Sequence, residues 1–165
     1  MTAFAGECKA RIKYELFEEI AKKEGYEQIG NIFSETSKNE KEHAEIWLEK
    51  LKGLSNTKEN LKVAIEGENY ENMVMYEEFA MDAKSEGLDD LAMLFKQVGA
   101  IEKTHETRFR KLLSNINNDE VFAKDTPQSW VCLNCGYVHY GKEAPKVCPV
   151  CDFPIGYFEK QAENY

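Results

Sequence analysis

Residues 102–105 read Glu-Lys-Thr-His and residues 40–43 read Glu-Lys-Glu-His, so the spacing Glu-x-x-His occurs twice, 62 positions apart. On a helix, residues three apart lie on the same face, so each pair can present a carboxylate and an imidazole to one metal ion. Each pair also falls within a stripe of apolar residues that has the helical period. Burial of such groups is unfavourable unless they are paired or bind a metal. The two pairs therefore predict a metal site among helices.

Four helices are predicted in the first 116 residues. Apolar residues recur with helical spacing over residues 2–23, 27–52, 58–85 and 88–115. Glycine residues stand where the first three of these segments end, at Gly25, Gly53 and Gly87. The sequence therefore predicts a mainly α-helical domain over residues 1–116.

The two halves of this helical region are copies of one another. Residues 24–33 match residues 86–95, and the same offset of 62 relates the two Glu-x-x-His pairs. An offset of 61 carries Gly6 and Glu7 onto Gly67 and Glu68. Each half thus offers a single glutamate followed by Glu-x-x-His, the ligand pattern of carboxylate-bridged dinuclear sites in four-helix bundles.

The repeat breaks at Glu71, which lies three residues after Glu68. Its counterpart in the first half would lie at Lys9 or Ala10, and neither is a carboxylate. One metal can therefore be offered a ligand that the other lacks, and the sequence predicts an asymmetric pair of metals.

A different kind of module follows the helices. Residues 117–126 are predicted to be a linker, and residues 127–165 carry Cys132, Cys135, Cys148 and Cys151 as two Cys-x-x-Cys pairs. Such pairs form a tetrahedral four-thiolate site for iron or zinc. Roughly forty residues cannot build a large core, so the metal is expected to hold this module together. The sequence leaves open whether the metal is redox-active iron or purely structural zinc.

The composition excludes several classes of protein. The net charge is −9 and no basic stripe is present, which argues against nucleic-acid binding. There is no signal-peptide pattern and no apolar run long enough to cross a membrane, so a cytoplasmic protein is expected. Four cysteines within residues 132–151 indicate metal binding rather than disulfides in a reducing compartment.

These motifs, in this order, resemble the rubrerythrin family along essentially the whole chain. The resemblance implies a ferritin-like di-iron four-helix bundle followed by a rubredoxin-like domain with a four-cysteine iron site, and hence three iron ions per chain. The matching segments are residues 4–7, 40–43, 67–71, 102–105, 130–137, 143–145 and 148–151.

The resemblance also implies roles for individual residues. Glu40 and Glu102 would bridge the irons, and one iron would exchange His43 for Glu71 on oxidation. Two tyrosines, Tyr14 and Tyr76, match family tyrosines that hydrogen-bond the ligand carboxylates. The implied di-iron ligands are Glu7, Glu40, His43, Glu68, Glu71, Glu102 and His105.

Two residues depart from the family pattern. Cys8 stands where the family commonly has serine, and we interpret it as a buried free thiol. Asp152 follows Cys151 where rubredoxin knuckles usually have glycine. Aspartate tolerates a left-handed backbone better than most residues, so the knuckle is expected to form.

The activity implied by the resemblance is reduction of hydrogen peroxide to water, as protection against oxidative stress in an anaerobe or microaerobe. The expected electron donor is rubredoxin or a rubredoxin/NAD(P)H reductase. The expected assembly is a head-to-tail homodimer that brings the two kinds of iron centre together, with exchange of helices between subunits left open. Alternatives are a ferroxidase for iron storage, a dioxygen reductase, and a plain electron carrier with a vestigial bundle.

Overall fold

The computed structural model describes residues 1–164 and confirms the predicted fold class, since four helices precede a small sheet with a four-cysteine cluster. The third helix is one run of α3, a π-helical segment and α4. None of the helices in residues 1–164 is long and apolar enough to cross a membrane. The elements are α1 Thr2–Lys23, α2 Glu27–Lys50, α3 Thr57–Tyr70, the π-helical segment Glu71–Met75, α4 Tyr76–Ser85, α5 Asp89–Asn117, β1 Ala123–Cys132, β2 Val138–Glu143, a 3₁₀ turn Ile155–Tyr157 and β3 Phe158–Lys160.

The chain divides into two compact units, Met1–Asn56 and a second that begins at Thr57. The first unit is a hairpin of α1 and α2. The second contains a hairpin in which α3, the π-helical segment and α4 pack against α5, followed by the sheet module. The internal repeat of the sequence is therefore a repeat of one helical hairpin.

The same four positions are buried in both hairpins. In the first hairpin they carry small side chains, which let two helices approach closely, and three of the four are also small in the second. The fourth pairs alanine with a glutamate. The matched residues are Ala21 with Ala83, Gly30 with Ala92, Ser37 with Gly99 and Ala44 with Glu106.

Both hairpins turn through the same glycine-dependent helix end. Gly25 and Gly87 have φ angles of 87° and 77°, a backbone conformation that L side chains rarely adopt. In each turn the glycine N–H and the following N–H donate to carbonyls of the preceding helix, as in the Schellman motif. The glycines thus set the direction of the second helix in each copy.

We expect Gly87→Ala to destabilise the metal-free protein by about 1 kcal/mol, because the left-handed backbone is unfavourable for alanine. No atom lies within 4 Å of the added Cβ, so the effect is backbone strain alone. Gly67→Ala is the matched control, since it also points into open space but lies inside α3. It should stabilise the protein by about 0.5–1 kcal/mol. Urea unfolding followed by circular dichroism measures both changes, and shifts of the same sign would contradict this account.

The second helix ends slightly earlier than predicted. It was expected to run to residue 52 and close at Gly53, but α2 ends at Lys50. The left-handed position is taken by Lys52, with φ 55°, and the N–H of Gly53 then donates to the Leu48 carbonyl at 2.9 Å. No sequence signal predicts that lysine rather than glycine adopts this conformation.

The π-helical segment explains why the repeat changes its offset. Glu7 and Tyr14 are seven residues apart in α1, whereas Glu68 and Tyr76 are eight apart in the second hairpin. The second copy thus has one extra residue, and a π-helical turn accommodates such a residue without breaking the helix. The segment begins at Glu71, the carboxylate that has no counterpart in the first hairpin.

The sheet module is antiparallel, with strand order β2-β1-β3. Its core is small and includes two of the four cysteines, Cys132 and Cys148, packed with Trp130 and Phe158. The indole N–H of Trp130 donates to the Gly141 carbonyl at 3.0 Å, which ties β1 to β2. The strand β1 begins at residue 123, inside the predicted linker 117–126, because its first residue pairs with Glu143 of β2. The predicted division into domains at residues 116 and 127 stays a prediction.

Candidate metal centres

The four cysteines of the sheet module converge on one point. Their sulfur atoms all lie within 4.8 Å of one another, with Cys132 Sγ 3.7 Å from Cys151 Sγ and Cys135 Sγ 3.6 Å from Cys148 Sγ. A tetrahedron with metal–sulfur bonds of about 2.3 Å has edges of about 3.8 Å. The spacing of the thiols therefore fits a four-coordinate metal.

Each cysteine pair is held in a turn that closes with a left-handed residue. Gly136, with φ 77°, donates its N–H to the Cys132 carbonyl at 2.8 Å. Asp152, with φ 57°, donates its N–H to the Cys148 carbonyl at 3.0 Å. The prediction that aspartate would be accommodated in the second knuckle is thus confirmed.

The metal-free thiols cannot all ionise together. Asn134 and then the Phe153 amide lower the pKa of Cys151 to about 6, since both hydrogen-bond its thiolate. A hydrogen bond from the Tyr137 amide also lowers the pKa of Cys135, but partial desolvation of the thiol and the neighbouring sulfurs outweigh it and raise that pKa to about 12. Neighbouring thiolates repel one another, and a bound cation would offset this repulsion, so that all four thiols can bind it as thiolates. Asn134 is a contributor that sequence reasoning missed, although it lies between the two cysteines of the first knuckle.

The first carboxylate cluster lies in the α1–α2 hairpin and comprises Glu7, Glu40 and His43, which present ligand atoms within 4.8 Å of one another. The Nδ1 atom of His43 is 2.9 Å from Glu40 Oε2 and 3.9 Å from Glu7 Oε2. The His43 side chain is 54% exposed, although its place in the apolar stripe predicted burial. The hairpin fully buries only small residues, so its larger side chains are at most partly buried.

Trp47 is a neighbour of this cluster that was not predicted from the sequence. Its indole N–H donates to Glu7 Oε1 at 3.4 Å, across from α2 to α1. The signal was available, because Trp47 follows His43 by four residues and so lies on the same helical face. Trp47 therefore helps to orient the carboxylate of Glu7.

The second cluster repeats this arrangement in the other hairpin with Glu68, Glu102 and His105. The Nδ1 atom of His105 is 2.7 Å from Glu102 Oε2 and 3.5 Å from Glu68 Oε2. Both distances are shorter than their counterparts in the first cluster, and His105 is less exposed than His43. The second cluster is thus the more compact of the two.

The three other residues predicted for the site lie beside these clusters. Glu71 is not among the ligand groups found within residues 1–164, but its charge helps to raise the pKa of Glu68. Desolvation, then the negative charges of Glu102 and Glu71, raise the pKa of Tyr76. Tyr14 stacks on Phe33 with a centroid distance of 6.0 Å. The hydrogen bonds predicted from the two tyrosines to ligand carboxylates stay predictions, as does the ligand role of Glu71.

We expect metal binding by the second cluster to weaken as the pH falls. Desolvation raises the pKa of Glu68 above its ordinary value, and a hydrogen bond with Glu102 contributes. Because the raised pKa favours the protonated form in the folded protein, a metal ion competes with the proton for this carboxylate. The affinity of the cluster for the metal is then lost as the pH falls through the raised pKa of Glu68. The metal-free protein, in contrast, loses stability as the pH rises through the same range. Calorimetric Zn(II) titration over a pH series measures the change. An affinity that does not vary with pH would contradict the account.

Comparison with known proteins decides the family. The model of the rubrerythrin family matches residues 1–62 and 59–131, and that of the rubrerythrin rubredoxin-like domain matches residues 130–159. The chain belongs to the rubrerythrin family. It is 44% identical to rubrerythrin-1 of Clostridium acetobutylicum, covering 100% of this chain and 93% of the relative. It is 42% identical to the rubrerythrin of Porphyromonas gingivalis, with coverage of 100% and 89%.

A solved structure of nigerythrin in a partially reduced state is also similar to this rubrerythrin-family chain. It is 30% identical, the match covers 97% of this chain and 83% of nigerythrin, and the TM-score is 0.38.

The donor atoms of this chain fit the iron centres that were predicted from the sequence. Four convergent thiols suit a rubredoxin-like iron site. The carboxylate and imidazole groups of the two hairpin clusters suit a di-iron site, since iron accepts both ligand types. The two predicted kinds of cofactor, a four-cysteine iron site and a di-iron site, are thereby confirmed.

Proposed function

We propose that this protein is a peroxidase that reduces hydrogen peroxide to water at its di-iron site, with electrons delivered through the four-cysteine iron. The observation that carries the proposal is the presence, in one chain, of hard carboxylate–imidazole clusters and a soft four-thiolate cluster. Iron supplies the electrons for cleavage of the O–O bond when it is bound in these clusters. A protein that only stores iron needs no separate centre for electron input, so the four-cysteine module favours reduction of a substrate over storage.

The residues of the two clusters have distinct tasks in this proposal. Carboxylates are hard ligands that stabilise the oxidised metal, and they can bridge two ions or bind one. Glu40 and Glu102 each lie within hydrogen-bonding distance of the histidine one turn away, which fixes the orientation of the imidazole. Glu7 and Glu68 approach the same histidines from the other helix of each hairpin. We propose Glu71 as the extra ligand that makes the two metals unequal.

The four-cysteine module is suited to accept electrons from outside. Cys135 is exposed while Cys132 and Cys148 are buried, so one edge of the cluster is open to a docking donor. We propose rubredoxin or a rubredoxin/NAD(P)H reductase as that donor. We also propose a homodimer, because apolar side chains of the α1–α2 hairpin such as Ile12, Leu16 and Ile32 are more than half exposed. A second copy of the chain would cover such a face.

A steady-state assay tests the proposed activity. Under anaerobic conditions, NAD(P)H, a rubredoxin reductase and rubredoxin are mixed with the iron-loaded protein, and NAD(P)H consumption is followed after peroxide is added. We expect consumption that depends on both peroxide and this protein. Rapid oxidation of excess Fe(II) into large particles, without any need for the donor, would instead show a ferroxidase.

A further inference from the structure

Glu106 is the most deeply buried charged residue among residues 1–164, with 1% of its surface exposed. It occupies the fourth of the buried positions that the two hairpins share, where the first hairpin has Ala44. A buried charge between two helices is destabilising unless it is fully compensated. Helix packing alone therefore does not explain why a glutamate stands at this position.

Three donors compensate the charge of Glu106. The Lys103 ammonium donates to Oε2 at 2.8 Å, and the Arg110 Nε donates to Oε1 at 2.7 Å. The amide of Asn69 donates to Oε1 at 3.4 Å. Lys103 and Arg110 belong to α5 like Glu106 itself, whereas Asn69 belongs to α3. The carboxylate thus connects the two helices of the hairpin.

The connection lies beside the second metal cluster. Asn69 follows Glu68 directly, and Glu106 follows His105 directly. Consecutive helical residues point about 100° apart, so Glu106 and Asn69 face the contact between α3 and α5 rather than the cluster. A bond between them fixes the rotation and height of α3 against α5 at the level where Glu68 approaches His105.

The interhelical bond from Trp47 to Glu7 in the first hairpin is exposed. That hairpin has no buried carboxylate at the level equivalent to Glu106, and the repeat shows why. The residue that corresponds to Asn69 is Cys8, and the residue that corresponds to Glu106 is Ala44. The position equivalent to Arg110 is Leu48. The two clusters are therefore built on one plan, but only the second is braced by a buried polar network.

The distances in the two clusters agree with this difference. Glu68 lies 3.5 Å from His105, while Glu7 lies 3.9 Å from His43.

We propose that Glu106 and Asn69 are positioning residues that hold the His105 side of the di-iron site tighter than the His43 side. Partners that orient metal ligands typically change metal affinity by about 10- to 100-fold when they are removed. Loss of the brace should thus weaken metal binding at His105 far more than at His43. The inference rests on metal binding by the two clusters and does not depend on the peroxidase activity.

Cobalt titration of the metal-free full-length protein tests the proposal. Proton NMR resolves paramagnetically shifted imidazole N–H signals, and His43→Gln and His105→Gln assign one signal to each histidine. The quantity measured is the Co(II) concentration at which each signal reaches half its final intensity. Glu106→Gln is expected to raise this concentration at least tenfold for the His105 signal and less than threefold for the His43 signal.

A second variant and a control keep the result interpretable. Asn69→Ala leaves the ion pairs within α5 intact and should shift the same signal in the same direction by a smaller factor. Glu59→Gln removes an exposed bond to Lys62 on α3 and should shift neither signal.

The outcomes separate the hypotheses. Equal shifts of both signals, or no shift of either, in Glu106→Gln and Asn69→Ala would overturn the positioning role. If the unaltered protein gives no shifted imidazole signal at any cobalt concentration, the metal assignment itself fails and the positioning role fails with it.

Discussion

Cys148→Ser is expected to remove the visible iron–thiolate absorption completely and to unfold the sheet module. Cys148 is fully buried and packs with Trp130 and Phe158, so its side chain is both a ligand and part of the core. Serine is a poor ligand for a metal that prefers thiolates. The module has only five buried residues in its core cluster, and structural metal sites typically contribute about 10–16 kcal/mol of apparent binding energy to such small folds. Without the metal the remaining core cannot hold the three strands.

Backbone hydrogen exchange provides the measurement. We expect the protected amides of β1, such as that of Cys132, which donates to the Tyr137 carbonyl at 2.8 Å, to exchange rapidly in Cys148→Ser. The matched control is Cys8→Ser, which changes the one cysteine outside the cluster and should leave both absorption and exchange in the module unchanged. A Cys148→Ser protein with slow β1 exchange would mean that the module folds without its metal.

Glu40→Ala is expected to lower peroxide-dependent turnover by about a hundredfold or more, since even residues that only support a metal ligand change activity by about 10–100-fold. Its carboxylate lies 2.9 Å from His43 and would be the metal ligand that α2 supplies beside that histidine. The substitution removes a ligand and an orienting partner of the imidazole together. We expect the iron content of the carboxylate clusters to fall, while the four-cysteine iron stays bound.

Glu42→Ala is the matched control for this substitution. Glu42 lies two residues away on the same helix, but its side chain is 68% exposed, against 16% for Glu40. It forms only a long surface ion pair with Lys41, which contributes little to stability. Peroxide-dependent turnover within twofold of the unaltered protein is expected for Glu42→Ala. Equal losses in the two variants would argue that α2 has been perturbed and that Glu40 has no special role.

Local sequence rules accounted for the helices and for the composition of the clusters. The Glu-x-x-His spacing predicts a shared ligand site because residues three apart on a helix share a face. In the structure each pair lies beside the single glutamate of its own hairpin, Glu7 or Glu68. The repeat also predicted that the two hairpins are alike, including the glycine in the turn of each one. These features depend on backbone geometry, which short sequence patterns encode directly.

Features that depend on packing between helices were not accessible in the same way. The π-helical segment was visible only as a change of offset from 61 to 62, since no residue type signals such a turn by itself. No sequence pattern singles out Glu106, since its burial depends on the packing of α5 against another helix, where it contacts Asn69. The strand β1 began inside the predicted linker because its pairing with β2 is a long-range contact.

In the proposed function, the four-cysteine iron feeds electrons to a site that reacts with peroxide. The most direct test reduces the protein anaerobically, mixes it with hydrogen peroxide or with O2 in a stopped-flow instrument, and follows the ferric–thiolate absorption of the four-cysteine centre. The account predicts fast reoxidation by peroxide and slow reoxidation by O2, with the peroxide reaction lost in Glu40→Ala. Fast reoxidation by O2 with little response to peroxide would contradict it, and so would a four-cysteine centre with no visible absorption at all.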